Sequence, residues 1–353
     1  MKLLENDEFK AVKSKKYNYF FNKKTGFFAR WGETKEDDPI MAPSCEILDL
    51  EISAGNVGTK KAVCKGFCKF CYKSNNEGSE PIYNMTFEEF KTIFHKVNKE
   101  GLLSQIAFGI MNISTNPDFF KMMEYSRKNG VIPNYTCHGL DVTDEIAKKT
   151  SELCGAVAVS IVNKEKTYDA IKRFSIDYRM KQTNLHFMLS NLTYDNAFNV
   201  IDDMVSDPRL KNMNAIVFLQ YKHKNKKSPH KSIVDVEKYT KLINYCDEKK
   251  INYGFDSCSA NLYIESIKDK KNSKELEISA DPCESFLMSA YISCKGISYP
   301  CSFVEGIEEG IDVLHCNDFI KDVWNNEKSI KWRKKLLKNN RNCPIYNLNF
   351  KEK

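Results

Sequence analysis

Hydrophobic and polar positions follow two different periods between Cys45 and Ile251. Short apolar runs rich in Val, Ile and Phe predict strands, and segments with apolar residues three and four positions apart predict helices. The predicted strands are CEILDLEIS (45–53), SQIAFGI (104–110), VIPNYTC (131–137), GAVAVSIV (155–162), NLHFMLS (184–190) and NAIVFLQYK (214–222). The predicted helices lie in TFEEFKTIFHKVNKEG (86–101), PDFFKMMEYSRKNG (117–130), TDEIAKKTSEL (143–153), KTYDAIKRF (166–174), TYDNAFNVIDDMV (193–205) and DVEKYTKLINYCDEK (235–249). Six strand–helix units in succession favour a parallel sheet with right-handed crossovers.

The flanking segments have a different character. Residues 1–44 precede the alternation, and NYFFNKKTGFFARWG within them predicts a hairpin that turns near Gly26. After about residue 255 the strand–helix rhythm stops and cysteines become dense. We therefore predict three regions: an N-terminal extension at 1–44, a strand–helix domain at 45–255 and a cysteine-rich extension at 256–353.

The composition is that of an ordinary globular protein. The chain has 353 residues, of which 42% are apolar and 29% are charged, and it offers no apolar run of membrane-spanning length. The first ten residues carry acids where a signal peptide has its apolar stretch, so we expect a cytoplasmic protein. Because thiols stay reduced there, the thirteen cysteines are predicted to be metal ligands and core residues, not disulfides.

The net charge of +7 is concentrated near the end of the chain. Residues 319–353 hold ten Lys or Arg against three Asp or Glu, and 222–231 is a second basic segment. Such segments suit an acidic peptide, a phosphate-bearing substrate or nucleic acid. The tail also has helical apolar spacing at Ile330 and Leu337, which favours the solvated face of a helix.

Three closely spaced cysteines carry the most chemical information. Cys64, Cys68 and Cys71 are separated by three and then two residues, directly after the first predicted strand. Thiolates are the usual ligands of iron–sulfur clusters, and a cubane with three protein ligands has one open iron. A zinc site is the alternative, but structural zinc takes four ligands and no His or Cys follows Cys71 at a suitable spacing.

This loop resembles the cluster loop of the radical S-adenosylmethionine (SAM) enzymes, including the aromatic Phe70 between the last two cysteines. The resemblance implies that Cys64, Cys68 and Cys71 bind a [4Fe-4S] cluster whose open iron binds SAM. It also implies reductive cleavage of SAM to a 5′-deoxyadenosyl radical, which takes hydrogen from a substrate. The implied fold is a partial (β/α)6 barrel, and the implied electron donor is a flavodoxin or a ferredoxin.

The resemblance also suggests contacts to SAM. Members of the family usually have Gly-Gly-Glu-Pro after the second strand, but this chain has Met111-Asn112 there, so Asn112 stands in place of Glu. Ser160 ends the fourth strand, where related enzymes often place a polar group against SAM. Ser190 ends the fifth strand and is a further candidate, because polar groups at strand ends line the pockets of parallel barrels.

A second cysteine group lies in the C-terminal extension. Cys283, Gly296 and Cys301 surround a predicted hairpin, a pattern that resembles the auxiliary-cluster extensions called SPASM and twitch. The resemblance implies a second [4Fe-4S] cluster, with Cys343 as another ligand. The usual closing pair of cysteines is missing, so the fourth ligand is Cys258, Cys316 or absent, and we favour Cys258.

The sequence and this resemblance thus predict a radical SAM enzyme with a twitch-like extension and a peptide or protein as substrate. A dehydrogenase or mutase of a small metabolite or nucleotide is the alternative within the family. An alternative of another class is a non-catalytic iron–sulfur or zinc protein that binds nucleic acid. We expect neither a membrane nor nucleic acid as a partner, and the substrate, the bond changed, the fate of SAM and the oligomeric state stay open.

Overall fold

The computed structural model describes residues 1–54, 64–66, 68–73, 83–224, 228–346 and 348. Some residues of segments singled out in the sequence lie outside the described ranges. They are Phe67 of the cysteine loop, 225–227 of the basic segment, and 347 with 349–353 of the basic tail. All thirteen cysteines are described. None of the helices within the described ranges is long and apolar enough to cross a membrane.

The N-terminal residues form a small antiparallel sheet. Its strands, as far as the structure describes the chain, are β1 (Lys2–Glu5), β2 (Phe9–Lys13), β3 (Asn18–Asn22) and β4 (Phe28–Trp31), paired in that order. Strands β3 and β4 form the predicted hairpin. Buried Tyr19 and Phe21 share a core with Leu102 and Ile132, which lie at the amino ends of the barrel strands. This sheet therefore packs at the end of the barrel opposite the cysteine loop.

Strands and helices then alternate as the sequence predicts. In chain order they are β5 (Ile47–Glu51), β6 (Ser53–Ala54), β7 (Tyr83–Asn84), α1 (Phe87–Val97), β8 (Gln105–Gly109), α2 (Phe119–Lys128), β9 (Ile132–Cys137), α3 (Asp144–Leu153), β10 (Ala156–Ser160), α4 (Lys164–Lys172), β11 (Thr183–Leu189), α5 (Tyr194–Ser206), β12 (Ala215–Gln220), α6 (Val236–Glu248) and β13 (Tyr253–Phe255). All six predicted strands and all six predicted helices are present.

The first helix shows why the local sequence folds this way. Thr86 caps α1 through its side chain, and Glu89 reaches back to the Thr86 backbone, which completes a capping box. Phe90, Ile93 and Phe94 are buried on one face of the helix. They pack into the main hydrophobic core between the sheet and the helices, so the apolar stripe fixes which face of α1 meets the sheet.

The C-terminal extension adds further elements: α7 (Ala260–Ile267), α8 (Ser273–Ile278), β14 (Ser289–Ile292), β15 (Ile297–Tyr299), β16 (Ile311–Asp312) and α9 (Glu327–Lys338). Strands β14 and β15 form the predicted hairpin, and Gly296 in its turn has a φ of +74°. A Cβ at Gly296 would meet the Leu314 side chain at 2.5 Å, so both the backbone and the packing require glycine there.

Ten strands of the described chain form one central sheet, in the order β13-β12-β11-β10-β9-β8-β5-β14-β15-β16. Strands β13 to β14 in this order run parallel, and β15 and β16 are antiparallel to their neighbours. The register pairs Glu51 with Gly109, so β5 and β8 end together. The extension thus continues the sheet beyond β5, while the predicted boundary after residue 255 stays a prediction.

Candidate functional site

The cysteine loop lies over a cavity at the carboxyl ends of the parallel strands. The cavity has a volume of about 410 Å³, and Cys64, Cys68 and Cys71 all line it. Burial, together with the nearby thiols of Cys71 and Cys64, raises the pKa of Cys68 to about 12. The structure therefore brings the three predicted ligands together, at the edge of the sheet where parallel α/β folds bind ligands.

Gly66 shapes the space between the sulfur atoms. A Cβ at this position would lie 3.4 Å from Sγ of Cys68, 3.5 Å from Sγ of Cys64 and 3.6 Å from Cδ2 of His138. The missing side chain leaves the sulfurs clear on that side. The three thiols and this opening fit an iron–sulfur cluster, which needs thiolates directed at one common space.

Asn112, which follows β8, binds the backbone of the cysteine loop. Its Oδ1 atom accepts a hydrogen bond from the backbone nitrogen of Lys65 at 2.9 Å and lies 2.9 Å from Nε2 of His138. The backbone N–H of Leu140 donates to Nδ1 of His138, so Nε2 carries the proton and donates to Asn112. Nδ2 of Asn112 contacts Thr115. Asn112, at the position where the family that the loop resembles has Glu, thus binds the loop backbone.

The other predicted cofactor contacts divide into two groups. Phe70 and Ser160 line the cavity, and the Phe70 ring packs edge-on against His230 at 5.6 Å. Ser190 is fully buried, and its hydroxyl lies 2.7 Å from Nδ1 of His230 and 3.1 Å from Thr193 Oγ1. Ser190 therefore supports the residues behind Phe70, and it is not among the described residues that line the cavity.

A network of charged side chains forms one wall of the cavity. Lys73 Nζ lies 3.0 Å from Oε1 of Glu51 and 2.9 Å from the Tyr291 hydroxyl, and it also pairs with Glu305. Tyr291 donates to the Glu51 carboxylate at 3.0 Å. Burial alone lowers the pKa of Lys73, but Glu51 and Glu305 together raise it above the usual range. The sequence analysis missed this network, although Glu51 ends the first barrel strand.

The cysteine loop also contacts the C-terminal extension directly. The ring of Tyr72 stacks on that of Phe303 with centroids 4.1 Å apart. Lys224, after β12, donates to the backbone carbonyls of Ser302 and Glu305 at 3.2 and 2.8 Å. The first contact joins the residue after Cys71 to the extension, and the other two join the segment after β12 to residues that follow Cys301. The two cysteine-bearing segments therefore lie against each other.

The second cysteine group is brought together by distant segments of the chain. Burial raises the pKa of Cys301 to about 12, with Cys283 and Cys343 contributing to the rise. Burial also raises the pKa of Cys258 above its usual range, and Cys283 and Cys301 act on it in the same direction. Cys283 and Cys301 thus act on Cys258, and Cys343 acts on Cys283 and Cys301, so the four thiols lie in one region of the extension.

Cys316 has a different environment from this group. Its thiol donates a hydrogen bond to the backbone carbonyl of Val313 at 3.3 Å. Lys96 binds the carbonyls of Val313, Leu314 and Cys316, so this segment is organised around a lysine. Burial raises the pKa of Cys316, and Lys96 and Asp322 are the main charged groups that act on it, whereas Cys283 and Cys301 act on Cys258. These surroundings favour Cys258 over Cys316 as the fourth member of the group.

No three His, Cys, Asp or Glu side chains within the described residues are spaced to share a single metal ion. An iron–sulfur cluster is larger than one ion, so its ligands stand further apart around it. The two cysteine groups therefore suit iron–sulfur clusters, whose thiolates face a shared space, better than a site for a single metal ion.

Sequence comparison found no matching family model and no matching curated protein. Solved structures match most of the chain. The crystal structure of Streptococcus suis SuiB bound to precursor peptide SuiA is 10% identical, with 94% of this chain and 90% of that chain covered and a TM-score of 0.69. SuiB bound to S-adenosylmethionine is 11% identical, with 84% and 69% covered and a TM-score of 0.63. The structure of anSMEcpe with bound AdoMet and Cp18Cys peptide is 16% identical, with 82% of each chain covered and a TM-score of 0.58.

SuiB and anSMEcpe are radical SAM enzymes with a partial barrel. The predicted fold class, a partial (β/α)6 barrel with a small C-terminal extension, is confirmed by this likeness and by the parallel order of β5 and β8 to β12. The chain therefore has the fold of the radical SAM enzymes, the family that its cysteine loop resembles.

Proposed function

We propose that this chain is a radical SAM enzyme that acts on a peptide or a protein. The observation that carries the proposal is the position of Cys64, Cys68 and Cys71, which face one cavity at the carboxyl edge of a parallel sheet. A cavity of about 410 Å³ lies within the size range of small-molecule and cofactor sites. Three thiolates and adjacent space suit a [4Fe-4S] cluster with SAM bound beside it.

The residues of the chain have distinct tasks in this proposal. When bound, the cluster supplies the single electron that cleaves SAM and so starts hydrogen abstraction from the substrate. Asn112 and His138 hold the loop that carries the thiolates. Phe70 covers one side of the cavity, and Ser160 offers a hydroxyl to SAM. We assign Ser190 no contact with SAM, because its hydroxyl bonds His230.

We further propose that Cys258, Cys283, Cys301 and Cys343 hold a second [4Fe-4S] cluster, as in a twitch-like extension. Four neighbouring thiols supply the full ligand set of a cubane. Arg341 holds the backbone of Cys283 in place, because its Nε donates a hydrogen bond to the Cys283 carbonyl at 3.2 Å. The closed ligand set suits electron transfer rather than binding of the substrate to an open iron.

The peptide or protein substrate is supported by the neighbours in fold. SuiB, whose alignment covers 94% of this chain, was solved with a bound precursor peptide. The structure of anSMEcpe also contains a bound peptide. A flavodoxin or a ferredoxin is the proposed electron donor, since the reaction consumes single electrons at low potential.

Anaerobic reconstitution followed by product analysis tests the first site. With SAM and dithionite, we expect 5′-deoxyadenosine and methionine even without a substrate, and none from the triple variant Cys64→Ala, Cys68→Ala, Cys71→Ala. The variant Cys316→Ala, which changes a thiol outside both groups, serves as the control and is expected to keep this activity. A fully iron-loaded chain that forms no 5′-deoxyadenosine would contradict the proposal.

Iron analysis of the same triple variant tests the second site. About four irons per chain are expected to remain, because the C-terminal thiolates are intact. Iron near zero would show that the later cysteines are packing residues and that the chain holds a single cluster.

A further inference from the structure

Asp49 carries a carboxylate inside the barrel. It lies on β5, where Leu48 and Leu50 belong to the main hydrophobic core and the alternate positions face the other side of the sheet. Asp49 accordingly lines the cavity of about 410 Å³, as does Glu51 at the end of the strand. Two residues of a strand span about 7 Å, so Asp49 lies that much deeper in the barrel than Glu51.

This carboxylate has no cation beside it within the described part of the chain. No hydrogen bond or ion pair joins the Asp49 carboxylate to another described residue. Burial raises the pKa of Asp49 to about 6, and the Glu284 carboxylate acts in the same direction. An ionised carboxylate enclosed by protein is costly unless a cation or hydrogen-bond donors reach it. A positively charged ligand would therefore be stabilised beside Asp49.

The other charged groups of the cavity do not compensate Asp49. Lys73 is the only lysine or arginine among the described residues that line the cavity. Lys73 pairs with Glu51 at 3.0 Å and also with Glu305, so two other carboxylates share its charge. His186, in the adjoining part of the barrel interior, is neutral near pH 7, because burial lowers its pKa to about 4. The described lining thus has one carboxylate more than it has cations.

The walls around Asp49 are small and largely apolar. Ala107 pairs with Asp49 in the sheet, and Gly109 follows on the same face of β8. Ala107 and Thr136 also line a second cavity of about 220 Å³, which adjoins the first. The side chains of Lys and Arg join an apolar stem to a charged head. Such a side chain matches a space that has small apolar walls and a single uncompensated carboxylate.

We propose that Asp49 binds a basic side chain, a lysine or an arginine, of the peptide substrate. The inference rests on the proposed function and names the class of substrate residue that the cavity takes. The N–H donors of Lys and Arg bind carboxylates through charge-assisted hydrogen bonds, which are stronger in an enclosed site. SAM is a second source of positive charge, through its amine and its sulfonium. The depth of Asp49 below the carboxyl edge, where the cysteine loop lies, favours the substrate.

Peptide binding to the full, anaerobically reconstituted chain tests this inference. The probes are capped pentapeptides, Gly-Gly-X-Gly-Gly, in which X is lysine, arginine or norleucine. Norleucine keeps the apolar stem of lysine and lacks its charge. With SAM bound and no reductant present, we expect the lysine and arginine peptides to bind at least about tenfold more tightly than the norleucine peptide, the contribution of a hydrogen bond between charged groups. Isothermal titration calorimetry measures the dissociation constants.

Substitutions of Asp49 connect the preference to this carboxylate. In Asp49→Asn, which keeps the size of the side chain and removes its charge, the lysine and norleucine peptides are expected to bind equally. Asp49→Glu is expected to keep the preference, and so is Asp195→Asn, which removes an exposed carboxylate on α5. Asp49→Ala provides the same comparison if the Asn variant loses its iron or its fold. Equal binding, or no detectable binding, of the lysine and norleucine peptides to the wild type would overturn the inference.

Cleavage of SAM in the absence of peptide separates the two sources of positive charge. We expect Asp49→Asn to keep the wild-type KM for SAM and the wild-type rate of 5′-deoxyadenosine formation, because the carboxylate serves the substrate. A raised KM for SAM in this variant, with the peptide preference intact, would assign Asp49 to SAM and overturn the inference. A wild type that prefers the lysine peptide through Asp49 but forms no 5′-deoxyadenosine would uphold the cation site and contradict the proposed function instead.

Discussion

The side-chain oxygen of Asn112 lies 2.9 Å from the backbone nitrogen of Lys65, between the first two cysteines of the loop. His138 donates to the same oxygen, so one amide group links the second barrel strand, the third strand and the loop. Asn112 therefore has a structural task in this chain, as a link between the loop and two strands of the barrel.

Asn112→Ala is expected to weaken the loop without unfolding the barrel. Removal of a buried acceptor costs about 1–3 kcal/mol, and here the loss falls on the backbone that holds Cys64 and Cys68. We expect first-site iron to fall by about half or more, measured as iron per chain and as 5′-deoxyadenosine formed. Asn184→Ala is the matched control, because Asn184 also accepts a side-chain hydrogen bond in the barrel, from Asn214 at 2.9 Å, but its bonded partner lies outside the loop. Equal iron loss in both variants would contradict the assignment.

Gly66→Ala is expected to disturb the first site by sterics alone. The added Cβ would lie 3.4 and 3.5 Å from the sulfurs of Cys68 and Cys64, at the lower limit of ordinary van der Waals contact, so it would occupy the space between them. We expect less iron bound at the first site and an altered cluster spectrum. Gly254→Ala is the control, since its Cβ would meet only Val217, at an ordinary 3.9 Å. Normal loading of Gly66→Ala would show that the loop has room to move.

Alanine variants distinguish the two candidates for the fourth ligand of the second group. In the background that lacks the three loop cysteines, Cys258→Ala is expected to lower the iron content from about four per chain, because one thiolate ligand is lost. Cys316→Ala is expected to leave it unchanged, since that thiol lies in the segment organised around Lys96, outside the group. Iron loss in Cys316→Ala alone would reverse this assignment.

Local patterns predicted the barrel because each unit is encoded within its own segment. The capping box at Thr86 and the apolar face of α1 are examples, and both appear in the structure. Strand β1 is different: all four of its residues are exposed, so it shows no buried alternation from which a strand could be predicted. The sequence analysis accordingly found only the β3–β4 hairpin of the N-terminal sheet.

The cavity wall could not be predicted from the sequence for another reason. Glu51 and Tyr291 are 240 positions apart, and they meet only because β14 pairs with β5 in parallel. No periodicity encodes that pairing. The cysteines of the first site were found because their spacing within one loop is itself the signal, whereas Lys73 two residues later carries none.

Lys73→Met is expected to destabilise the contact between the loop and the extension. Lys73 is 13% exposed and binds Glu51, Glu305 and Tyr291, so its loss leaves the buried Glu51 and the half-buried Glu305 without this cation. We expect a loss of about 1.5–3 kcal/mol in the free energy of unfolding, the range for hydrogen bonds to charged groups. Urea unfolding followed by circular dichroism measures it.

Lys99→Met is the control for this change. Lys99 also pairs with the extension, through Asp318 at 2.8 Å, but its side chain is 59% exposed. Exposed ion pairs contribute about 0–1 kcal/mol, so a much smaller effect is expected. Similar losses in the two variants would show that the Lys73 network is not selectively important.

His186, on β11, is expected to make stability depend on pH. Burial lowers its pKa to about 4, although Asp256 acts in the opposite direction, whereas an unfolded chain has a histidine pKa of about 6.5. Between these values the unfolded chain binds a proton that the folded chain does not, so stability falls as the pH is lowered from about 6.5 to about 4. The slope is at most about 1 kcal/mol per pH unit, since part of the ring is accessible from the barrel interior.

Urea unfolding of the wild type and of His186→Asn across this range isolates the effect, because other groups titrate in both proteins. We expect the stability difference between them to shift in favour of the wild type as the pH rises from 4 to 6.5. His95→Asn, which changes an exposed histidine on α1, is the matched substitution outside the barrel interior. A flat difference for His186→Asn would mean that the ring binds its proton equally in both states, and that the barrel interior is wetter at β11 than the burial of the ring indicates.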